Sequence, residues 1–416
     1  MHIVFFNRSF YPDISATGQL LAELCEDLVK DYNCDVMVIT SMPLTVEHTY
    51  NPNNLCNSGI SIFKRDDFKK INILRVRGTT FSPKYFLGRI FNYLTYFLLS
   101  FIASFKLKKP DLVVTLTDPP IISLIGLWVS FRFNIPLIIS VRDIFPEAAR
   151  GLEVAQNKII NFFLDCINRF CLKSASHIVT LGKLMHRIIK EKGINQDKVS
   201  VIPDWADSSK IFPVSKENTF SLTHNLADSF VIMYSGNLGA SSGLETVIGS
   251  ARSLKDYKDI VFVFIGEGII KDKLIEFVKG YSLENVKFLP YQSKDMLSYS
   301  FSSADVFVIP LKKALTGYSV PSKIYGILAS GRPYIACMDE ESEIAEITKE
   351  FECGLLAKPE DPIDLTKKII LLYDNKELRQ KMGENARKAA GLFDRKIGTK
   401  SYYELFQRIL NDKKGL

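Results

Sequence analysis

The chain has 416 residues, roughly two to three times the usual length of a domain, so two domains are expected. Hydrophobic residues make up 47% and charged residues 24%, proportions that exclude a disordered chain. Lys+Arg at 53 against Asp+Glu at 46 gives a net charge of +7, an excess that suits an anionic membrane surface or an anionic small substrate as well as nucleic acid. The seven cysteines include no CxxC pair, which argues against a disulfide framework or a zinc site and for a reducing compartment. The first residues, His2-Ile3-Val4-Phe5-Phe6, read as a strand and not as a secretory leader, so a cytoplasmic location is expected.

In chain order, short β-branched runs alternate with amphipathic segments. Runs 2–6, 34–40, 111–116, 136–141, 176–181 and 198–202 predict buried parallel strands. Between the first two, residues 18–30 place Leu21, Leu24, Leu28 and Val29 at helical spacing. Residues 41–60 carry neither period and read as a long loop. The polar stretch 203–213, bounded by prolines, reads as a linker. The pattern restarts with 230–234, 260–265, 285–289, 304–309 and 333–337, and the end of the chain is helical, with Leu405, Ile409 and Leu410 on one stripe. An α/β protein follows, with two doubly wound domains at 1–205 and 206–375 and a helical tail over 376–416. Ligands of such sheets sit beyond the C-terminal strand ends, so two of them facing each other suit a reaction between two substrates.

Residues 85–105 (YFLGRIFNYLTYFLLSFIASF) are nearly all apolar, with Lys84 before them and Lys106, Lys108 and Lys109 after. The length approaches the roughly 20 residues that span a bilayer. A crossing there would separate 71–76 from 111–116 of one sheet, so a transmembrane helix is rejected. The run is either a core helix or one with its outer face in lipid headgroups, a boundary that aromatics and lysines favour.

Several loops carry chemistry. The first βα loop ends at Gly18, where a ligand could approach backbone N–H groups, although an ordinary helix start explains it equally. The second domain opens with Tyr234-Ser235-Gly236-Asn237-Leu238-Gly239-Ala240-Ser241-Ser242-Gly243, a loop suited to cradle phosphate. The next strand ends in Ile265-Gly266-Glu267-Gly268. In Thr316–Pro333, proline, a hydroxyl and Lys323 fall in the first turn of a short helix. A lysine at that positive end fits a bound anion, or else points into solvent. In Ser140–Glu147, Asp143 and Glu147 could take a proton from an acceptor hydroxyl, or Arg142 and Asp143 could merely pair. Asp118 is a lesser candidate of the same kind. No histidine pair has metal-ligand spacing.

These segments resemble the family 4 glycosyltransferases of GT-B architecture. The resemblance covers nearly the whole chain, through the FYP…G loop, IPDWADSSKIFP, YSGNLG, FIGEG, VKFLPYQ, ADVFVIP and PSKIYGILASGRP. VRDIFPEAA, GNLGASSGLE and SVPSKIYGILASGRP resemble the bacterial subgroup acting in O-antigen, capsule and exopolysaccharide assembly. The resemblance implies two Rossmann-like domains facing a cleft, with a C-terminal helix crossing back to the first. It implies a UDP-sugar donor on 206–375, a lipid-linked saccharide acceptor on 1–205, retention, and no metal, cofactor or nucleic-acid partner. Gly18, Gly236, Asn237, Ser242, Gly266, Glu267, Tyr291, Tyr318, Pro321, Ser322 and Lys323 are the expected donor-binding residues, and Asp143, Glu147 and Arg142 the expected catalytic ones. The inner-membrane surface is expected to meet 84–109 from the cytoplasmic side.

The chain also departs from the family. Many members carry Glu-x7-Glu before the final ALA-x-G-x-P-like run, and Tyr318 and Gly326 stand there instead. The family's arginine and lysine for the diphosphate fall at Asn237 and Ser242. Lys323 is the leading replacement cation, with Arg142 second. A UDP-sugar 2-epimerase of related plan and a non-catalytic subunit of a glycan-assembly complex are the rival readings.

Overall fold

The computed structural model describes residues 1–43, 62–82, 86–152 and 157–414, so most of the expected 41–60 loop, and Lys84, lie outside the described residues. Two compact units result: Met1–Pro203 with Lys396–Leu416, and Asp204–Arg395.

In the first unit, strands β1 (His2–Phe6), β2 (Asp35–Ser41), β3 (Phe63–Phe68), β4 (Ile71–Val76), β5 (Leu112–Leu116), β6 (Leu137–Ser140), β7 (His177–Thr180) and β8 (Val199–Val201) lie in the order β3-β4-β2-β1-β5-β6-β7-β8. All neighbours are parallel except β3 on β4. The order reverses between β1 and β5, the position where open sheets bind ligands. Helices α1 (Ala16–Lys30), α2 (Phe86–Ser104), α3 (Ser123–Phe133), α4 (Glu147–Gly151), α5 (Lys158–Ser174) and α6 (Lys183–Glu191) connect the strands. Right-handed crossovers put α2, α3 and α5 on one face of the sheet and α1 on the other.

Helix α1 begins two residues before Gly18. Ser15 caps it, and its hydroxyl accepts the Gly18 N–H at 3.3 Å. That amide is thereby used within the chain. Helix α2 is not a fully buried core helix: Tyr96, Ser100 and Ala103 are buried, while Leu87, Phe91, Leu94 and Leu98 are exposed. Among the described residues no helix is long and apolar enough to cross a membrane.

The second unit holds β9 (Phe230–Ser235), β10 (Ile260–Ile265), β11 (Val286–Leu289), β12 (Val306–Pro310), β13 (Tyr334–Cys337) and β14 (Gly354–Ala357), in the all-parallel order β11-β10-β9-β12-β13-β14. Its helices are α7 (Thr219–Thr223), α8 (Glu245–Ser253), α9 (Lys271–Gly280), α10 (Leu297–Ser302), α11 (Lys323–Ala329), α12 (Glu343–Phe351), α13 (Pro362–Asp374) and α14 (Lys376–Ala390). Ile232, Phe262, Phe264, Val306 and Ile335 form part of its core, which α8 and α13 cover through Val247, Ile248, Leu365 and Ile369.

The expected tail over 376–416 divides. Residues up to Arg395 belong to the second unit, where α14 packs on α11, and only the remainder joins the first. In the last helix, α15 (Arg395–Lys414), the residues from Lys396 onward lie against α1 and the sheet. Thr399 Oγ1 donates to the buried Asp27 at 3.1 Å, and Lys396 reaches Asp27 at 3.3 Å and Asp31 at 2.5 Å. Tyr403 stacks on Tyr32 at 4.0 Å, and Phe406 lies 6.4 Å from Phe5. Asp27→Ala leaves the Thr399 hydroxyl buried without its acceptor, and is expected to cost about 1–3 kcal/mol of stability. Urea denaturation measures this, and faster proteolysis after 396 should accompany it; unchanged stability would remove Asp27 as the clasp.

Candidate active site

In the second unit the loops after β9 and β10 run side by side, because their strands are paired to the last residue, Ser235 opposite Ile265. Gly236 N–H donates to Ile265 O at 2.9 Å, and Leu238 N–H to Glu267 O at 2.8 Å. Gly236 and Gly266 adopt φ of +136° and +143°. A Cβ on Gly266 would fall 2.0 Å from the Gly236 carbonyl oxygen, and one on Gly268 would fall 2.3 Å from that of Leu238. These positions accept only glycine.

Tyr234, buried at the end of β9, fastens the loop from below. Its hydroxyl donates to Asn237 O at 2.6 Å and lies 2.9 Å from Ser242 Oγ. The Lys323 ammonium sits over the same ring, 3.5 Å from its centroid, and 3.4 Å from where a Gly236 Cβ would be. Lys323 opens α11, and among the described residues no carboxylate pairs with it. Burial alone pulls its pKa from 10.5 down to about 7.

The other expected donor residues take various places. Asn237 and Glu267 are exposed, and Glu267 pairs with Lys271 at 2.6 Å. Tyr291 closes the edge of the β10 loop, its hydroxyl 3.5 Å from Glu267 O, and burial raises it to about 12. Tyr318, Pro321 and Ser322 are half-buried along the segment leading to Lys323. Gly18 belongs to the other unit. At Gly326 a Cβ would approach the Phe301 ring to 3.1 Å, so a glutamate there would have to displace that ring. Two residues escaped sequence reasoning: Tyr234, which looked like any strand aromatic, and Lys312, whose stem lies 3.7 Å from where a Gly243 Cβ would be.

In the first unit, the loop after β6 is pinned by Thr117, whose hydroxyl accepts the N–H groups of Arg142 and Asp143 at 3.0 and 3.2 Å. Asp143 and Arg142 are half-buried in that loop. Glu147 is held differently. The buried Lys192 ammonium donates to it at 2.6 Å and to Asp165 of α5 at 2.8 Å, and Asp165 also receives Arg169 at 2.6 Å. Arg150 adds a contact at 3.4 Å. Glu147 therefore fastens α4 to α5 and the end of α6. Asp118 pairs with Arg8 at 3.1 Å; burial pulls that guanidinium down, but Asp118, Tyr93 and Asp13 more than offset it and hold it protonated. Among the described residues no three His, Cys, Asp or Glu side chains gather as a metal site.

Two family models match the chain: Glycosyl transferase 4-like domain over residues 65–205 and Glycosyl transferases group 1 over 216–389. The chain is 24% identical over 367 residues to the putative colanic acid biosynthesis glycosyl transferase WcaI of Escherichia coli, covering 84% of this chain and 86% of that one. It is 23% identical over 259 residues to the N,N'-diacetylbacillosaminyl-diphospho-undecaprenol alpha-1,3-N-acetylgalactosaminyltransferase of Campylobacter jejuni, covering 61% and 66%. In fold it matches Anabaena Alr3699/HepE, solved in complex with UDP and glucose, at a TM-score of 0.71 and 15% identity over 97% of this chain and 99% of that one. With two parallel-sheet α/β units and matches on both halves, the chain belongs to the family 4 glycosyltransferases of GT-B fold.

Proposed function

We propose that this glycosyltransferase moves a sugar, with retention, from a UDP-sugar to a lipid-linked saccharide in surface polysaccharide synthesis, at the cytoplasmic face of the inner membrane. The observation that carries the donor half is Lys323: a half-buried ammonium beside glycine-only backbone, with no carboxylate among the described residues to neutralise it. A diphosphate supplies the missing charge. UDP in the HepE structure supports the nucleotide, and the names of the Escherichia coli and Campylobacter jejuni relatives support a polysaccharide pathway and a lipid-linked acceptor. The first unit takes the acceptor and, through 84–109, the membrane. The donor is the only co-reactant required, without a metal.

In the transfer, the acceptor hydroxyl oxygen bonds to the anomeric carbon while that carbon's bond to the β-phosphate oxygen of UDP breaks. The hydroxyl proton goes to Asp143 or to the departing diphosphate. Glu147, already bound to Lys192, is the weaker choice.

If the diphosphate is what the site recognises, UDP should raise the melting temperature more than UMP, and UMP more than uridine. Equal shifts for all three would remove the diphosphate from the reading.

Lys323→Met should weaken UDP binding by about 1–3 kcal/mol, the loss expected for a charge-assisted hydrogen bond. The apoprotein should respond in the opposite sense. Below pH 7 the wild type buries a charged ammonium, so the variant is the more stable there. Between about 7 and 10.5 the unfolded chain holds a proton that the folded one has released, so wild-type stability rises and the gap closes. UDP affinity of the wild type should fall as pH climbs above 7. A variant that binds UDP normally and shows no pH-dependent stability difference would return Lys323 to the solvated face.

Asp143→Asn separates the two proton acceptors. A catalytic base should lose roughly 100- to 10,000-fold in transfer with UDP affinity intact. Near-normal transfer by a well-folded variant would assign the proton to the diphosphate and leave Asp143 to position the loop.

A further inference from the structure

Helix α2 carries Leu87, Phe91, Leu94, Leu98 and Ile102 on its outer side, with Phe105 just past its end. Their spacing of three and four residues over 18 positions makes one stripe about 27 Å long. The neighbouring α3, which packs against both α2 and α5, turns out Phe131, 85% exposed. Helix α5 then presents Ile159, Phe162, Phe163 and Phe170. All three lie on the same face of the β1–β8 sheet. Exposed apolar side chains grouped on three neighbouring helices are the mark of an interaction surface.

Polar residues in the middle of α5 face the other way. Asn161 is buried, and Asp165 and Arg169 lock onto Lys192 and its carbonyl. In its middle turns α5 thus holds Asn161 and its one carboxylate inward and turns phenylalanines outward, while Lys158 and Lys173 stand exposed at its two ends, an arrangement that favours apolar surroundings on the outside.

Charge selects the occupant. Helices α2 and α3 contain no Asp or Glu, and the one carboxylate of α5, Asp165, is neutralised from within. Around the face stand the exposed Lys106, Lys108, Lys109, Lys158 and Lys173. An apolar surface rich in phenylalanine, rimmed by lysine and free of uncompensated negative charge, matches an anionic bilayer.

We infer that α5, together with α3, forms a second membrane-inserting element beside α2, so that the chain lies on an anionic lipid surface through a three-helix face. This rests on the membrane reading given above for 84–109 and enlarges it. It also has a consequence for the acceptor. Lys192 joins Asp165 of α5 to Glu147, four residues after Asp143, so the helix set in lipid directly braces the loop proposed to receive a lipid-linked substrate.

The test compares the full chain, Phe162→Ser/Phe163→Ser and Leu94→Gln/Leu98→Gln on vesicles of phosphatidylglycerol with phosphatidylethanolamine, and on phosphatidylcholine alone. All substituted side chains are half or more exposed or nearly so, and circular dichroism and thermal melting check the fold; Ile159→Gln/Phe170→Gln serves if the first α5 pair unfolds. Wild type should prefer the anionic vesicles, with salt weakening the preference, and each pair of substitutions should lower the partition coefficient tenfold or more. Wild-type binding by the α5 variants, with loss only in the α2 variant, would overturn the inference and leave the 84–109 reading standing. No binding by wild type at low salt would overturn both. A wild-type dimer that the α5 substitutions convert to monomer, with vesicle binding unchanged, would overturn the inference in favour of a contact between two copies of the chain.

Discussion

The donor-side geometry depends on one close approach between backbones. Strands β9 and β10 are paired to their last residues, so the chain leaves the sheet twice at the same level. The second exit passes so near the first that a methyl group at Gly266 would lie 2.0 Å from a carbonyl oxygen. Only with both glycines in place does Tyr234 reach up to Asn237 and Ser242, and only then does Lys323 find a ring face and a bare stretch of backbone to lie against. The site is arranged by what is missing, namely side chains, and its half-buried ammonium, Lys323, is placed by an aromatic ring.

The β-branched runs located strands to within a residue or two, because strands covered on both faces must be apolar throughout. Two strands gave no such signal. In β3 the sequence Phe63-Lys64-Arg65-Asp66-Asp67-Phe68 is mostly charged, which an antiparallel edge strand tolerates, and β14 is only Gly354-Leu355-Leu356-Ala357. The segment 376–416, expected as one tail, divides between the two units, because amphipathic periodicity shows that a helix has a buried side without showing what it is buried against. The glycine loops and Lys323 were legible as chemistry. Their arrangement was not, since Tyr234 contributes through tertiary contact and has no local signature.

The replaced family glutamates acquire a structural reason at one of the two positions. Helix α11 turns Gly326 toward Phe301 and Ile211, so the space for a carboxylate is occupied by packing. A site without those acids can hold a cation whose charge is conditional. A glutamate beside Lys323 would hold it charged at all relevant pH, and would compete with a diphosphate for it. Without one, burial leaves the ammonium near neutrality, and the arriving anion is what stabilises its proton.

Helix α5 shows the same logic on a larger scale. A sequence reading assigns the apolar side of an amphipathic helix to the core, and for the first part of α5 this is reversed: Asn161 and Asp165 lie inward while Phe162 and Phe163 are exposed, and the buried apolar residues, Cys171 and Leu172, come near its end. The reversal is stable because Lys192, buried and shared between Asp165 and Glu147, neutralises both carboxylates, while Arg169 also donates to the Lys192 carbonyl. Breaking that cluster would strand a buried ammonium, which costs several kcal/mol in general. The cluster therefore fixes which way α5 turns, and so which residues face outward. It fixes at the same time the first residue of α4, directly after the Arg142–Asp143 loop. One ion cluster thus ties the helix that bears the apolar outer face to the residue that follows the loop proposed for chemistry.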